Sequence, residues 1–246
     1  MDRLIYTAMT GANAAAHRQS VLSNNLANVS THGFRAELSA YRAVPLRGDG
    51  ATTRVFALET EVGFRDTPGP TLRTGGEMDA MPQGGSWFAV QGLDGAEAYT
   101  RNGSFAVAPD GTLKTSNGLN VLSDGGGAIN LPGNATVSIG VDGTITAKTG
   151  NQPPTTVARI KIATPATDDP LKRGEDGLFR TASGNPIGND ANARLMVGVL
   201  EGSNVNSVET MIGMIQTARQ FETQMRLLQT AESNDRSAGQ LLSLQG

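Results

Sequence analysis

The sequence predicts an α+β fold in which one helix at each end of the chain forms a coiled-coil-like pair, with an antiparallel β domain inserted between them. Apolar residues recur about every three and a half positions in both terminal segments, the spacing of helices that pack side by side. Asp-Gly and Asn-Gly dipeptides recur between the helices and separate short β-like runs, as in tight hairpins. The predicted domains are residues 1–38 with 204–246, an extended connector over 39–81, and the β domain over 82–203.

The first helix is predicted to begin near Asp2 and to end before Gly33. A carboxylate suits the positive end of a helix dipole, and glycine suits the left-handed residue that follows many helices. Arg18 is the only formal charge between residues 4 and 29, so the outer face lacks the Lys and Glu that solvent-facing helices carry. We expect contacts on several sides of this helix, with an assembly seam made of Ile5, Ala8, Ala12, Ala15, Leu22, Leu26 and Val29.

The second helix is predicted to begin after Asn206, a candidate cap, with Glu209 placed to return the hydrogen bond as in a capping box. The residues Met211, Met214, Ala218, Phe221, Met225 and Leu228 form its predicted assembly seam. The alanine-lined seam of the first helix buries little apolar surface to offset the conformational entropy that folding removes. We therefore expect the terminal helices to order mainly against neighbouring molecules, although core helices of a monomer would show the same repeat.

Between the helices, glycine and proline interrupt every short apolar run over residues 39–81, which indicates an extended connector with few short strands. From residue 87 to residue 200 apolar residues alternate, as expected of strands with one buried face. Trp87 and Phe88 are the expected anchor of this β core. Arg101 lies beside a predicted Asn-Gly turn, and we expect it to bond a carboxylate or carbonyl that fixes the hairpin.

Composition argues against catalysis and against nucleic-acid binding. The net charge is −3 with scattered Lys and Arg, so no basic stripe is available for phosphates. Cysteine is absent and His17 and His32 are the only histidines, which leaves no zinc cluster and no thiol nucleophile. The sequence contains no phosphate loop or nucleophile elbow, and its acidic residues show no spacing typical of a calcium loop or a paired-carboxylate hydrolase. We expect no catalytic or metal-binding residues, no cofactor and no small-molecule substrate.

The chain is not expected to insert into a membrane, because no apolar run reaches the length that a membrane crossing needs. Residues 14–16 are alanines that resemble a signal-peptide cleavage zone. Thr7, Thr10 and Asn13 interrupt the apolar stretch before them, however, so no cleavage is expected.

Three segments in order along the chain carry motifs. The first closes the first helix, the second lies on a predicted strand, and the third leads into the last helix. The residues that carry the three motifs are Ala27, Asn28, Ser30, Thr31, Gly33 and Phe34; Thr100, Arg101, Gly103 and Phe105; and Asn204 and Asn206. Together these motifs resemble those of the flagellar basal-body rod and hook proteins. The chain is longer than the small rod proteins and shorter than the hook subunit, and residues 1–6 resemble the proximal-rod subfamily more than the distal-rod subfamily.

The resemblance implies a structural subunit of the bacterial flagellar rod in the periplasm, exported through the flagellar type III apparatus without signal cleavage. Such a subunit would polymerise through its terminal helices to transmit torque. Its partners would be the distal and small proximal rod proteins and copies of itself. A distal-rod subunit, and a secreted adhesin or effector that shares the export route, are the alternatives. Phe34 is then either a local staple or a plug into a neighbour.

Overall fold

A computed structural model of the protein describes residues 2–45, 55–133 and 135–243. The chain forms two compact units. The first unit consists of Met1–Val29, Ala36–Arg65 and Val205–Gly246, and the second of Ser30–Arg35 and Asp66–Asn204. Helices near both ends and antiparallel strands between them confirm the α+β class predicted from the sequence.

The first unit contains two helices and a β-hairpin. Helix α1 is Asp2–Ala27 and helix α2 is Ser207–Ser243. Strand β1 (Glu37–Pro45) pairs antiparallel with β2 (Val55–Phe64), and α1 contacts α2 and both strands of this hairpin. None of the helices in the described residues combines the length and the apolar character that a membrane crossing requires.

Helices α1 and α2 pack antiparallel. A Cβ added to Gly11 would lie 3.0 Å from Cδ of Gln224, and one added to Gly213 would lie 3.3 Å from Cδ1 of Leu22. Later residues of α1 therefore meet earlier residues of α2. The contact suits the small residues of the α1 seam, because small side chains allow two helix axes to approach closely.

The structure differs from the extended connector predicted over residues 39–81. β1 and β2 form a long hairpin, and the short strands β3 (Thr71–Arg73) and β4 (Ala80–Pro82) follow it. No residue of β1 is fully buried, since the hairpin is only partly covered, and this weakens the apolar alternation by which a strand is recognised. Residues 46–54 of the predicted connector lie outside the described residues.

The second unit contains the remaining strands, and these pair antiparallel in the part of the chain that the structure describes. In chain order they are β5 Trp87–Gln91, β6 Glu97–Thr100, β7 Phe105–Val107, β8 Leu113–Thr115, β9 Ala135–Ile139, β10 Thr144–Thr149, β11 Thr155–Arg159, β12 Ile162–Ala163, β13 Leu171–Arg173, β14 Phe179–Thr181, β15 Leu195–Val197 and β16 Val199–Glu201. The largest sheet has the order β12-β5-β6-β14-β13, and a second sheet has the order β11-β10-β9. Two-stranded pairs join β7 to β8, β15 to β4 and β16 to β3.

The core of the second unit forms around β5, as expected from the sequence. Trp87 and Phe88 are both buried, and the ring of Phe88 meets that of Phe105 edge to face at 5.0 Å between centroids.

The predicted Asp-Gly turns form as well. At one of them Gly143 has a φ of +83°, and Asp142 Oδ1 accepts a hydrogen bond from the Thr144 amide at 3.1 Å.

Candidate functional sites: two helix faces and a buried ion cluster

Helix α1 presents three faces with different surroundings. The first carries Ala8, Ala12 and Ala15, which are buried on the same side as Gly11 and Leu22 and therefore face α2. On the predicted α1 seam, Ile5, Leu22, Leu26 and Val29 are partly buried. Helix α2 thus covers the three alanines of the predicted α1 seam, whereas the other four residues of that seam keep part of their surface exposed. The three alanines are therefore not open to a neighbouring molecule.

The second face of α1 is fastened to the hairpin. The Asn25 side chain donates to the Glu37 carbonyl at 2.9 Å and accepts from the Glu37 amide at 2.8 Å. The Asn24 side chain donates to the Glu37 carboxylate at 2.9 Å. These bonds satisfy the polar groups on this face of the helix and explain why asparagine occurs there.

The third face of α1 is exposed and carries no formal charge. Its members recur at alternating intervals of three and four residues, so they form a continuous stripe along the helix. We call this the α1 uncharged stripe, and it consists of Tyr6, Met9, Asn13, Ala16, Ser20, Ser23 and Ala27.

Helix α2 turns one face toward α1 and exposes apolar residues on another. Thr210, Thr217 and Ala231 are buried at intervals of seven and fourteen residues, on the face toward α1. Of the predicted α2 seam, Met211, Ala218, Phe221 and Met225 are exposed, whereas Met214 and Leu228 are partly buried. None of the six residues of the predicted α2 seam is fully buried within the chain.

The exposed apolar residues are densest in the first half of α2. The α2 apolar patch, as we call it, consists of Val208, Met211, Ile212 and Ile215, whose exposed fractions are 63%, 49%, 51% and 55%. Clustered exposed apolar side chains indicate an interaction surface more strongly than single ones do. The predicted α2 seam includes only Met211 of these four residues. The repeat that runs from Met211 through Met214 and Ala218 does not pass through the other three, which lie on a neighbouring stripe of the helix.

The Asn206 cap predicted for the start of α2 is confirmed, whereas the bond that Glu209 was expected to return stays a prediction. The Asn206 side-chain oxygen accepts hydrogen bonds from the amides of Val208 at 3.1 Å and Glu209 at 3.2 Å. Asn206 therefore caps the helix and fixes the turn on which the α2 apolar patch begins.

A buried ion cluster lies within the second unit. Arg101 Nε donates to Glu201 Oε2 at 2.7 Å, and Arg35 Nη1 donates to Glu201 Oε1. The Glu201 side chain has no exposed surface, and those of both arginines are almost fully buried. The prediction that Arg101 bonds a carboxylate or carbonyl is confirmed, and it also donates to the Gly84 carbonyl at 3.0 Å. Its carboxylate partner lies 100 residues away, so local sequence patterns gave no sign of it.

The ring of Trp87 completes this cluster. The guanidinium carbons of Arg35 and Arg101 lie 5.8 Å and 5.7 Å from the ring centroid, within the range of a cation–π interaction. Burial lowers the pKa of Arg101, and the charge of Glu201 opposes this shift. Two cations are therefore held out of water by one anion, and removal of that anion would leave both arginines buried without a counter-charge.

The motif at the end of α1 contributes to the same cluster through its backbone. Gly33 has a φ of +70°, and a Cβ at this position would lie 2.3 Å from the Arg101 carbonyl carbon, so a side chain has no room here. The Gly33 amide donates to the Glu201 carbonyl at 2.8 Å. Phe34 is buried in the chain's own second unit, with the Arg173 guanidinium carbon 4.6 Å from its ring centroid, which favours the local staple over the plug.

Thr100, Gly103 and Asn28 of the motifs also make structural contacts. Thr100 Oγ1 accepts from the Asn102 amide at 3.1 Å, and the Gly103 carbonyl accepts from the Ala80 amide at 3.0 Å. The Asn28 side chain donates to the Asn24 carbonyl at 2.9 Å. Ser30 is exposed and Thr31 is partly buried.

The acidic residues near position 170 are held by neighbouring side chains. Asp169 accepts from the Ser183 amide at 2.9 Å, and Asp176 pairs with Arg180 at 2.8 Å. Within residues 2–45, 55–133 and 135–243, no three His, Asp or Glu side chains are grouped so that they could hold a metal ion.

Comparison with known proteins connects these sites to one family. Residues 5–35 match the family model described as flagella basal body rod protein. Residues 82–147 match the flagellar hook protein FlgE/F/G D1 domain, and residues 196–241 match the flagellar basal body rod FlgEFG protein C-terminal region. The matched regions contain the three motifs that the sequence singled out.

Full-length relatives agree with the family models. The flagellar basal-body rod proteins FlgF of Salmonella typhimurium and Escherichia coli are each 43% identical over 253 residues, which covers 99% of this chain and 100% of theirs. FlgF of Caulobacter vibrioides is 31% identical over 243 residues, covering 97% of both chains. The chain therefore belongs to the family of flagellar basal-body rod proteins, within which it is most like FlgF.

Proposed function

We propose that the chain is a structural subunit of the proximal part of the flagellar basal-body rod, and that it polymerises through its terminal helices to transmit torque. The observation that carries this proposal is the α2 apolar patch. It is exposed on a helix whose opposite face already packs on α1, so it is available to another molecule.

Burial of the α2 apolar patch supplies a driving force for assembly. Fully burying a Val, Ile or Met side chain contributes about 1.5–3 kcal/mol, and the four patch residues are about half exposed. Covering them therefore contributes roughly 3–6 kcal/mol per contact before the costs of association. In a tubular assembly each subunit touches several neighbours, and staggered contacts resist twisting better than one interface does.

The α1 uncharged stripe suits the same role for a different reason. Its side chains are small or uncharged, so a neighbouring helix covers them without leaving a buried charge unpaired. This explains why Arg18 is the only formal charge between residues 4 and 29.

The partners in this proposal are copies of the chain and the distal and small proximal rod proteins, in the periplasmic part of the basal body. Export through the flagellar type III apparatus without signal cleavage agrees with family membership and with the uninterrupted helix α1. The proposal contains no catalytic step. A secreted adhesin or effector would require neither exposed helix face.

The substitution Ile215→Lys tests the proposal in a strain that lacks the native gene. The side chain of Ile215 is more than half exposed, so the purified variant should retain the native circular dichroism and unfolding midpoint. We expect such cells to be non-motile and to lack complete basal bodies, because the new charge would have to be buried between subunits.

The matched control is Gln229→Lys, which makes the same charge change two heptads further along the same side of α2. It should support motility. Normal basal bodies and motility with Ile215→Lys would contradict the proposal, and so would an equal loss with both variants.

A further inference from the structure

The polypeptide passes between the two units four times, after Val29, Arg35, Arg65 and Asn204. Within the second unit, three segments adjoin these crossings. We call residues 30–35, 66–70 and 199–204 the exit segments. Whatever force reaches the second unit along the chain enters it through these segments.

One side chain joins all three exit segments. Glu201 belongs to the third, and its Oε1 accepts from Arg35 of the first and from the Gly69 amide of the second, the latter at 3.0 Å. Its own carbonyl accepts from the Gly33 amide at 2.8 Å. Glu201 Oε2 is taken by Arg101, which lies outside the exit segments.

Arg101 extends this connection into the β core. Besides Glu201, its guanidinium donates to the carbonyls of Gly84 and Ser86, just before β5. The flanking ring of Trp87 begins that strand, and its centroid lies 4.6 Å from that of Phe179 on β14. The Glu201–Arg101 pair thus links the exit segments to the largest sheet, which contains β5 and β14.

Weaker bonds among the exit segments surround this pair. The Gly202 amide donates to the Pro70 carbonyl at 2.8 Å, and the Asn204 side chain donates to the Thr67 carbonyl at 2.7 Å. The strands β3 and β16 have only three residues each, so their ladder offers few hydrogen bonds of its own.

We propose that Glu201 is a clamp that makes the three exit segments and the β core open as one cooperative unit. A carboxylate suits this role because its two oxygens accept several directed hydrogen bonds at once, which fixes the register of the segments. An apolar contact would allow them to slide. The clamp itself is a property of the isolated chain, and only its use in carrying torque rests on the proposed function.

Hydrogen exchange of the purified protein tests the clamp with the variant Glu201→Gln, which keeps the side-chain shape and removes the charge. We expect exchange at the amides of Gly33, Gly69 and Gly202 to accelerate on the order of 100-fold, because local opening no longer breaks a buried ion pair. The core amides of Leu113 and Val121, which donate to Ile129 and Leu113, should accelerate much less.

Glu97→Gln is the matched control, because Glu97 pairs with Lys161 at 2.8 Å in another mostly buried ion pair of the same unit. It should leave the exit-segment amides unchanged. If Glu201→Gln does not yield folded protein, Arg101→Lys keeps the positive charge, removes the two-pronged contact, and should give the same order of exchange.

Unchanged exchange at the exit segments would overturn the clamp. Equal acceleration of all amides in the second unit would also overturn it, since Glu201 would then only add to overall stability. Hydrogen exchange is measured on the purified protein and needs no assembled flagellum. A failure of the assembly proposal, seen as motile cells with Ile215→Lys, is therefore distinguishable from a failure of the clamp.

Discussion

Replacement of Gly33 by alanine tests how closely the motif after α1 approaches the backbone of Arg101 and Asn102, just after β6. An added Cβ would lie 2.3 Å from the Arg101 carbonyl carbon and 2.4 Å from the Asn102 nitrogen, both backbone atoms that side-chain rotation cannot move. An alanine at positive φ costs about 1–2 kcal/mol, and forcing extra volume into a packed site adds about 1–3 kcal/mol. We therefore expect Gly33→Ala to reduce the free energy of unfolding by about 2–5 kcal/mol.

Gly75→Ala isolates the conformational part of this cost. Gly75 has a φ of +72°, against +70° at Gly33, but a Cβ there would meet no atom within 4 Å. Its substitution should cost only about 1–2 kcal/mol. The difference between the two variants measures the clash alone.

Urea unfolding followed by tryptophan fluorescence gives both values. Trp87 is the only tryptophan and is 2% exposed within the second unit, so its emission reports the unfolding of that unit. An equal loss of stability in Gly33→Ala and Gly75→Ala would refute the close packing of residues 33 and 101.

Two smaller effects are expected elsewhere. Asn206→Ala should cost the first turn of α2 about 1 kcal/mol and speed hydrogen exchange at Val208 and Glu209, whereas Asn206→Asp should retain the cap; equal exchange in both variants would argue against capping. Hydrogen bonds from Thr144 hold the pKa of Asp142 below its usual 3.8, so its contribution to stability is present above about pH 4 and is lost as the pH falls through the lowered pKa. Asp142→Asn should make stability fall less steeply between about pH 4 and pH 2 in urea titrations, and an unchanged slope would show that this carboxylate is not linked to folding.

Local chemistry was predictable from the sequence where neighbouring residues determine it. The Asn206 cap and the Asp142 turn depend on side chains two or three positions from the groups they bind. That Arg101 bonds a carboxylate or a carbonyl was predictable from its place beside the Asn-Gly turn. Its partner Glu201 was not, because 100 residues separate the two and nothing local distinguishes that glutamate from an exposed one.

The helix faces could be predicted only in part. A heptad repeat shows that a helix has an apolar face, but it does not say whether the partner is in the same chain or in another. In α1 the structure assigns Ala8 and Ala15 to the intrachain contact. In α2 the structure shows exposed apolar residues outside the predicted seam, among them Ile212 and Ile215. One heptad repeat cannot describe both sets of residues.

The central claim is that the α2 apolar patch becomes covered when the rod assembles. Because the chain has no cysteine, Ile215→Cys provides a single thiol whose reaction with a maleimide can be timed in the isolated protein and in purified basal bodies. We predict rapid labelling in the isolated protein and strong protection in basal bodies. Thr217→Cys, on the face toward α1, should be protected in both. Equal labelling of Ile215→Cys in both preparations would contradict the account.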